Sequence, residues 1–263
     1  MKKSIKLIAL LAAASVTILT GCKGTPYNDK EAADVIDMID ETSSASDTVE
    51  IHNFIMPEVG EKIAVINVKD YGTIKIKLFP EDAEKGVENF IGLAEMDYYD
   101  ELIFHRIIPS FMNQGGDPKG NGTGGKSIWG EKFEGGTDEN LYHFSGAVAY
   151  ANSGATSTNG SQFYIVNTAD GEFDLGGTYL PDGSIYYYET FEEAGLNIPK
   201  NVQEMYKEKG GTPFLDGGYT VFGQVFEGMD VVRAMAQVET DENDKPLTQV
   251  MMESVEIVEY TGE

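Results

Sequence analysis

Apolar and polar residues alternate in several short stretches of the chain, and this pattern predicts a mainly β domain. In residues 73–79, isoleucine and leucine alternate with threonine and lysine, which is the two-residue period of a half-buried strand. Residues 63–68 before it are rich in β-branched side chains, and Asp70-Tyr71-Gly72 between the two runs predicts a turn. We therefore expect a hairpin with one buried face.

A helical period follows this hairpin. Val87, Phe90, Ile91 and Ala94 recur at spacings of three, four and seven residues from the first, which places them on one face of a helix. A second amphipathic helix is predicted in residues 228–236, near the end of the chain.

Beyond residue 98 the chain is rich in glycine and aromatic residues and contains several short β-prone runs. Many short strands joined by glycine-rich segments are typical of a barrel or a sandwich. The predicted strands lie in residues 102–108, 145–149, 162–166 and 220–225, with a closing strand in 251–260.

Residues 169–211 do not continue this succession of short strands and are predicted to be an insertion. They contain three consecutive tyrosines at 186–188 and a predicted helix after Pro199, in which Val202, Met205 and Tyr206 share a face. Because structureless loops of this length are uncommon in compact domains, we expect the insertion to carry its own secondary structure.

The first 21 residues have the pattern of a secretory signal peptide. Lys2, Lys3 and Lys6 make the start basic, and residues 5–19 are otherwise almost wholly apolar but too short to span a membrane. The sequence Leu19-Thr20-Gly21-Cys22 that follows matches the bacterial lipoprotein pattern, in which the cysteine takes up diacylglycerol. We therefore expect a protein outside the cytoplasm, anchored to the cell membrane by lipid on Cys22; the alternative is an ordinary signal peptide with an incidental cysteine.

Charge and composition narrow the possible partners of the mature chain. Residues 22–60 are acidic and are predicted to form a tether, with the folded domain at 61–263. Removal of three lysines with the signal lowers the formal net charge from −25 to −28, which opposes binding to nucleic acid.

Cys22 is the only cysteine, so an intramolecular disulfide is excluded. With only three histidines, no metal site is predicted.

The most informative stretch is residues 104–117, FHRIIPSFMNQGGD. It resembles the signature of the cyclophilins, a family of peptidyl-prolyl cis–trans isomerases. Further blocks resemble the family's other motifs in the same order, so that the resemblance extends from about residue 63 to 260. These blocks are residues 123–133, 145–152 together with 158–165, and 214–223.

The resemblance implies a fold and an activity. The implied fold is a closed eight-stranded antiparallel β-barrel capped by two helices, here with the long insertion. The implied activity is isomerisation of X–Pro bonds, without a cofactor, in proline-containing peptides and in exported proteins during folding. A monomer is the expected oligomeric state.

Site residues follow from the family motifs position by position. Arg106 matches the catalytic arginine, although a surface salt bridge would otherwise be the ordinary interpretation of an arginine in so acidic a chain. Gln114 matches the glutamine that binds the substrate backbone and holds the arginine. The other matching residues are Phe111, Met112, Tyr164 and Leu215 in the proline pocket, Ala151, Asn152 and Gln162 along the peptide, Tyr219 at the rim, and Phe214 at the position of the family's tryptophan.

Three of these positions depart from the family pattern. Phe214 stands where a tryptophan is usual, Tyr219 where a histidine is usual, and Tyr164 where a phenylalanine is usual. Because Phe214 lacks the indole N–H donor that cyclosporin binding uses, the resemblance predicts weak inhibition by that drug.

Two other functions are compatible with parts of the sequence. Residues 120–127 satisfy the P-loop pattern, but the glycines at 130, 135 and 136 exclude the helix that a phosphate-binding loop requires. A second alternative is a non-catalytic lipoprotein of the same fold that binds proline-containing segments as a chaperone or adaptor. Arg106 and Gln114 favour the enzyme.

Overall fold

The computed structural model describes residues 48–262. The predicted signal peptide at 1–21, the lipidation site Cys22 and most of the predicted tether lie outside the described residues. Within the described range, no helix is both long and apolar enough to cross a membrane.

The described part of the chain forms one eight-stranded antiparallel sheet and a separate two-stranded hairpin. The strand order in the large sheet is β10-β1-β2-β9-β5-β6-β4-β3, and β7 pairs with β8. The strands are β1 Lys62–Val68, β2 Gly72–Leu78, β3 Arg106–Ile108, β4 Met112–Gly115, β5 Ala147–Tyr150, β6 Phe163–Val166, β7 Gly177–Tyr179, β8 Ile185–Tyr187, β9 Val221–Glu227 and β10 Met252–Glu259.

The predicted β1–β2 hairpin is confirmed. The two strands pair from Ile63 opposite Lys77 to Val68 opposite Gly72. Asp70 in the turn has a φ of 65°, a left-handed conformation that aspartate adopts more readily than most residues. The alternating pattern of β2 places its isoleucines in the core because successive side chains of a strand point to opposite faces.

Three helices accompany the sheets in the described residues: α1 Glu84–Ala94, α2 Lys200–Lys209 and α3 Met229–Met235. The predicted helical period is confirmed, because Val87, Phe90 and Ala94 are buried in α1 and Ile91 is half-buried. α3 coincides with the helix predicted at 228–236, and α2 is the helix predicted after Pro199.

The large sheet curls into a half-barrel and is not closed, so the predicted closed barrel is not confirmed. β3 and β10 are its two edges. The segments that lead into these edges approach each other, with one bridge between Ile103 and Met251. β3 has only three residues, and the N–H of Ile107 donates to the carbonyl of Asp244 rather than to β10. A short edge that is paired with a loop therefore ends the ladder before it closes.

The core lies inside the curled sheet and beneath α1. Phe90 of α1 packs its ring against Tyr99, Phe163 and Phe222, with centroid distances between 5.1 and 5.4 Å. Full burial of an aromatic side chain contributes about 1.5–3 kcal/mol. This aromatic cluster fixes α1 on the sheet and thereby holds the strands that carry the site.

Residues 48–60, which the sequence placed in the tether, pack against the domain. The amide of Asn53 donates to the carbonyl of Tyr142 at 2.9 Å and to Oε1 of Gln224 at 3.0 Å. Its oxygen accepts from the N–H of Tyr142 at 3.0 Å. The packed domain therefore begins upstream of residue 61. The acidic composition of this segment did not indicate the contacts, which are made by a neutral amide.

The insertion at 169–211 has the internal structure that was expected. It contains the β7–β8 hairpin and α2, and it shares a small hydrophobic core with the segment before β5. This core is formed by Tyr142, Phe144, Leu175, Phe191, Val202 and Tyr206.

Candidate active site

A cleft of about 170 Å³ opens beside β3, β4 and β6. Nine of the predicted site residues line it: Arg106, Phe111, Met112, Gln114, Ala151, Asn152, Tyr164, Leu215 and Tyr219. The predicted residues Gln162 and Phe214 contact members of this group from outside the lining.

The strand register explains how separate motifs meet in the cleft. Gln114 lies opposite Arg106 on β3 and opposite Tyr164 on β6. Tyr164 in turn lies opposite Ala149 on β5. Because residues that face each other in antiparallel strands are neighbours on one face of the sheet, three distant motifs present their side chains to the same space.

Arg106 is held by a carboxylate that the sequence did not indicate. Its Nε and Nη2 donate to Oδ2 of Asp244 at 3.1 and 3.0 Å. About 40% of each side chain is exposed, and an exposed ion pair contributes at most about 1 kcal/mol to stability. The pair therefore orients the guanidinium more than it stabilises the fold. Two of the five guanidinium N–H groups point to Asp244, and the others are available to a ligand.

The amide side chain of Gln114 is fixed by Gln162. Nε2 of Gln114 donates to Oε1 of Gln162 at 3.0 Å. Nε2 of Gln162 donates to the carbonyls of Gly122 and Gly124 at 3.0 and 2.8 Å. Both glutamines are thereby oriented, and the 120–127 loop supports the cleft.

One wall of the cleft is apolar. Phe111, Met112 and Leu215 form it, and the latter two are 3% and 7% exposed. Phe214 stacks on Phe111 with centroids 5.8 Å apart. The main-chain N–H of Phe111 donates to Oδ1 of Asn167 at 2.8 Å, which holds the backbone that carries this ring.

Tyr164 is the end of a buried hydrogen-bonded chain that reaches the insertion. Its hydroxyl lies 3.0 Å from Nε2 of His143, and Nδ1 of His143 lies 2.8 Å from Oδ1 of Asp216. The hydroxyl of Tyr206 on α2 donates to the other oxygen of Asp216 at 2.7 Å. Since a carboxylate only accepts, Nδ1 of His143 carries a hydrogen, and a neutral ring then accepts from Tyr164.

Burial raises the pKa of both phenols in this chain well above the usual value. The loss of solvation is the largest cause for Tyr164 and for Tyr206, and the charge of Asp216 adds to it. Both hydroxyls therefore remain protonated at neutral pH. Tyr164 presents a fixed ring to the cleft, with its hydroxyl directed to His143.

The opposite rim is polar. Nδ2 of Asn152 donates to the carbonyl of Gly218 at 3.0 Å, and the N–H of Ala151 donates to the carbonyl of Gln162. The ring of Tyr219 meets Tyr164 edge-on with centroids 5.9 Å apart. This rim thus faces the apolar wall across the cleft.

His105 lies next to Arg106, and because isomerisation moves no proton, the sequence favours a structural, hydrogen-bonding histidine there over a general base. It is 5% exposed, and neither ring nitrogen has a partner among the described residues. The structure therefore does not contain the expected hydrogen bond. Burial is the main cause that lowers the pKa of His105, so the ring is neutral at neutral pH.

The P-loop-like residues 120–127 fold as a loop around Asp117. Its Oδ1 accepts from the N–H of Lys119 at 2.9 Å, and its Oδ2 accepts from the N–H of Asn121 at 3.1 Å. Burial acts to raise the pKa of Asp117, but these backbone donors outweigh it and hold the pKa below the usual value. No helix follows the loop, so the context of a phosphate-binding motif is absent.

Four functional candidates were missed by sequence reasoning: Asp244, His143, Asp216 and Tyr206. Asp216 directly follows Leu215 in a recognised block, and this adjacency was the one signal that could have indicated it. Asp244 and Tyr206 lie in segments without a motif.

Comparisons with known proteins agree with this geometry. The family model described as "Cyclophilin type peptidyl-prolyl cis-trans isomerase/CLD" matches residues 63–257. A Streptococcus pyogenes protein named as a bifunctional phosphatase/peptidyl-prolyl cis-trans isomerase is 44% identical over 190 residues, which are 72% of this chain and 37% of that protein. The chain thus spans little more than a third of that relative.

Two staphylococcal proteins are matched over nearly their whole length. Both are named as peptidyl-prolyl cis-trans isomerases. The protein of Staphylococcus saprophyticus is 39% identical over 200 residues, which are 76% of this chain and 94% of that protein. The protein of Staphylococcus aureus is 40% identical over 198 residues, which are 75% and 93%.

A solved structure shares the fold. The cyclophilin-type peptidyl-prolyl cis-trans isomerase of Cryptosporidium parvum, crystallised in the presence of the dipeptide Ala-Pro, superposes with a TM-score of 0.55 at 26% identity. The match covers 75% of this chain and 99% of that structure.

Proposed function

The chain belongs to the cyclophilin-type peptidyl-prolyl cis–trans isomerases, and we propose that it isomerises X–Pro bonds of exported proteins in the cleft around Arg106. The observation that carries this proposal is the meeting of a guanidinium, an oriented amide and an apolar wall in one cleft. These are the groups that the rotation of a prolyl amide requires.

The reaction needs neither a nucleophile nor a proton transfer. Rotation about a peptide bond has a barrier of about 18–20 kcal/mol because C–N conjugation is lost at the twisted state. Catalysis therefore requires interactions that are stronger in the twisted state than in either planar isomer. A pocket for the proline ring and a donor near the amide nitrogen meet this requirement.

Arg106 supplies the donor. As the amide twists, its nitrogen becomes pyramidal and gains a lone pair, which a guanidinium N–H can bind. Arginine stays charged at all relevant pH values, so activity does not depend on its ionisation. Asp244 holds Nε and Nη2, and this pairing orients the side chain before the substrate arrives.

The apolar wall and the amides position the substrate. Phe111, Met112 and Leu215 receive the proline ring, and Tyr164 closes the pocket with its aromatic face. Gln114 donates to the substrate backbone, while Ala151 and Asn152 contact the peptide on the far side of the cleft. Gln162 acts through Gln114 by fixing its orientation.

We also propose that the barrel closes through the segments before β3 and β10. The N–H of Phe104 donates to the carbonyl of Val250 at 2.9 Å. The N–H of Met252 donates to the carbonyl of Leu102 at 2.9 Å. These bonds support a continuous wall at the point where the ladder of regular strands ends.

The proposed location is the outer face of the cell membrane. The basic start, the short apolar stretch and Cys22 support export and lipidation. Labelling with a radioactive fatty acid tests this: the protein should carry label in the membrane fraction, and Cys22→Ser should carry none. An unlabelled wild-type protein in the cytoplasm would contradict the proposal.

The activity is tested by NMR exchange spectroscopy on a short Ala-Pro peptide. The wild type should accelerate cis–trans exchange, and Arg106→Ala should lose most of the acceleration. If both proteins bind the peptide and neither accelerates exchange, the domain is a binding module and the catalytic role of Arg106 is refuted.

A further inference from the structure

A second cavity lies between the turn that joins β3 to β4 and the insertion. It has a volume of about 400 Å³, and we call it the insertion cavity. Its walls are Ser110, Thr168, Glu172, Phe173, Asp174, Leu175, Tyr187 and Tyr188. The family motifs do not assign this space, because most of its walls come from the insertion.

The charge of the insertion cavity has one sign. Glu172 and Asp174 are in its wall, and no lysine or arginine is. Within residues 48–262, neither carboxylate forms an ion pair with a cationic side chain. Glu172 accepts from the hydroxyl of Ser110 at 3.2 Å, and Asp174 accepts from the N–H of Gly176 at 2.7 Å. Each carboxylate is thus oriented by one neutral donor and retains its capacity to bind a cation.

The remaining walls suit the stem and head of a long basic side chain. Phe173 and Leu175 provide apolar surface for the methylene groups. Tyr187 and Tyr188 provide aromatic faces that attract a cation. Tyr187 is 63% exposed and stands at the open side of the cavity.

The insertion cavity is a neighbour of the candidate active site, because two lining residues of the two spaces are adjacent in the chain. Ser110 in its wall directly precedes Phe111, which lines the cleft. Phe214, stacked on Phe111, lies against Gly176 at the base of the β7–β8 hairpin, where a Cβ would approach it to 3.3 Å. Neighbouring Cα atoms are about 3.8 Å apart, and an extended chain advances about 3.3 Å per residue. Because Ser110 and Phe111 are chain neighbours, we place the cavity about two to four residues along a peptide that is bound in the cleft.

We propose that the insertion cavity binds a lysine or arginine side chain of the same polypeptide whose proline occupies the cleft. This inference rests on the proposed function, since it assigns a sequence preference to the same substrate. The proline pocket selects the bond, and the cavity selects a basic residue about two to four positions away from it.

The test uses peptides that differ at one position. Lysine, glutamate or norleucine is placed two, three or four residues before or after the proline of a neutral peptide. Dissociation constants come from NMR titration, and exchange rates come from the same samples. The cavity variant is Glu172→Gln with Asp174→Asn, which keeps an acceptor oxygen at both positions. The matched control is Asp182→Asn with Glu204→Gln, which removes two charges from the insertion outside the cavity.

For the wild type and the control, we expect the lysine peptide to bind at least ~5-fold more tightly than the glutamate peptide at one of the tested positions. This ratio corresponds to an ion pair of about 1 kcal/mol. For the cavity variant this ratio should fall below about 2-fold. The preference should also decrease with salt. A wild type without a lysine preference, or a cavity variant with the same ratio as the control, overturns the proposal, because the field of the whole acidic chain would then account for any selectivity.

Failure of the proposed function gives a different result. If no peptide shows faster exchange, the isomerase assignment is refuted, while the binding ratios still decide the role of the cavity. If exchange is fast with every peptide and the ratios are equal, the enzyme stands and the cavity does not select.

Discussion

The buried chain from Tyr164 to Tyr206 leads to a quantitative prediction about stability. Tyr206→Phe removes one hydroxyl from α2 and leaves the ring in place. Oδ2 of Asp216 then loses the donor at 2.7 Å, and its side chain is only 13% exposed. Hydrogen bonds to charged groups contribute about 1.5–3 kcal/mol, so unfolding free energy should fall by that amount.

The loss of stability in Tyr206→Phe can also be measured as a fall in the midpoint of thermal unfolding. For a domain of this size, about 1 kcal/mol corresponds to about 2–4 °C. The midpoint of Tyr206→Phe should therefore fall by about 3–12 °C. Tyr179→Phe is the matched control: this tyrosine is 78% exposed, and its substitution should change stability by less than about 0.5 kcal/mol.

The coupling along the chain is measured with a double-mutant cycle. Tyr164→Phe alone leaves Nε2 of His143 without its partner at 3.0 Å, at a cost of about 1–3 kcal/mol. If His143 and Asp216 transmit the effect, the double variant should differ from the sum of the single variants by at least about 0.5 kcal/mol. Urea unfolding of the four proteins provides the values. Strict additivity, or a Tyr206→Phe variant as stable as the wild type, would refute the reasoning.

Three further predictions concern other residues of the domain. The hydrogen bond to Asp82 is the main cause that raises the pKa of His52. Because the pKa of His52 is higher in the folded protein than in the unfolded chain, this interaction stabilises the fold fully below about pH 6.5. The stabilisation is lost as pH rises through the folded pKa. Asp82→Asn should therefore destabilise the protein more at about pH 5.5 than at about pH 8.5 in urea unfolding, and an equal effect at both would contradict this. Cyclosporin should inhibit exchange weakly, and Phe214→Trp, which restores an indole N–H, should strengthen inhibition; tight inhibition of the wild type would refute the prediction. Asp244→Asn should lower kcat/KM about 3–10-fold while stability changes by less than about 1 kcal/mol, because it loosens an exposed pair that orients Arg106; unchanged kinetics would show that the pairing has no positioning role.

Short contiguous patterns predicted the local elements correctly. The alternation in β2 and the helical period of α1 depend only on neighbouring residues, so each pattern determines which face is buried. The same holds for the motif blocks: residues 104–117 contain both Arg106 and Gln114, and a tight β3–β4 pairing follows from their proximity. The open edge of the half-barrel was not predictable in this way, since it depends on how a three-residue strand meets a distant one.

By itself, the sequence determined the mainly β character, the family, and the identity of the residues that line the cleft. Contiguous motifs are sufficient for these, because each motif folds as one unit. Only the tertiary structure decided that Asp244 holds Arg106 across 138 positions and that Asn53 joins residues 48–60 to Gln224 across 171. It also decided that Tyr206 of the insertion supports Tyr164 through His143 and Asp216. Such contacts depend on the path of the whole chain, and a local pattern of side chains does not predict that path.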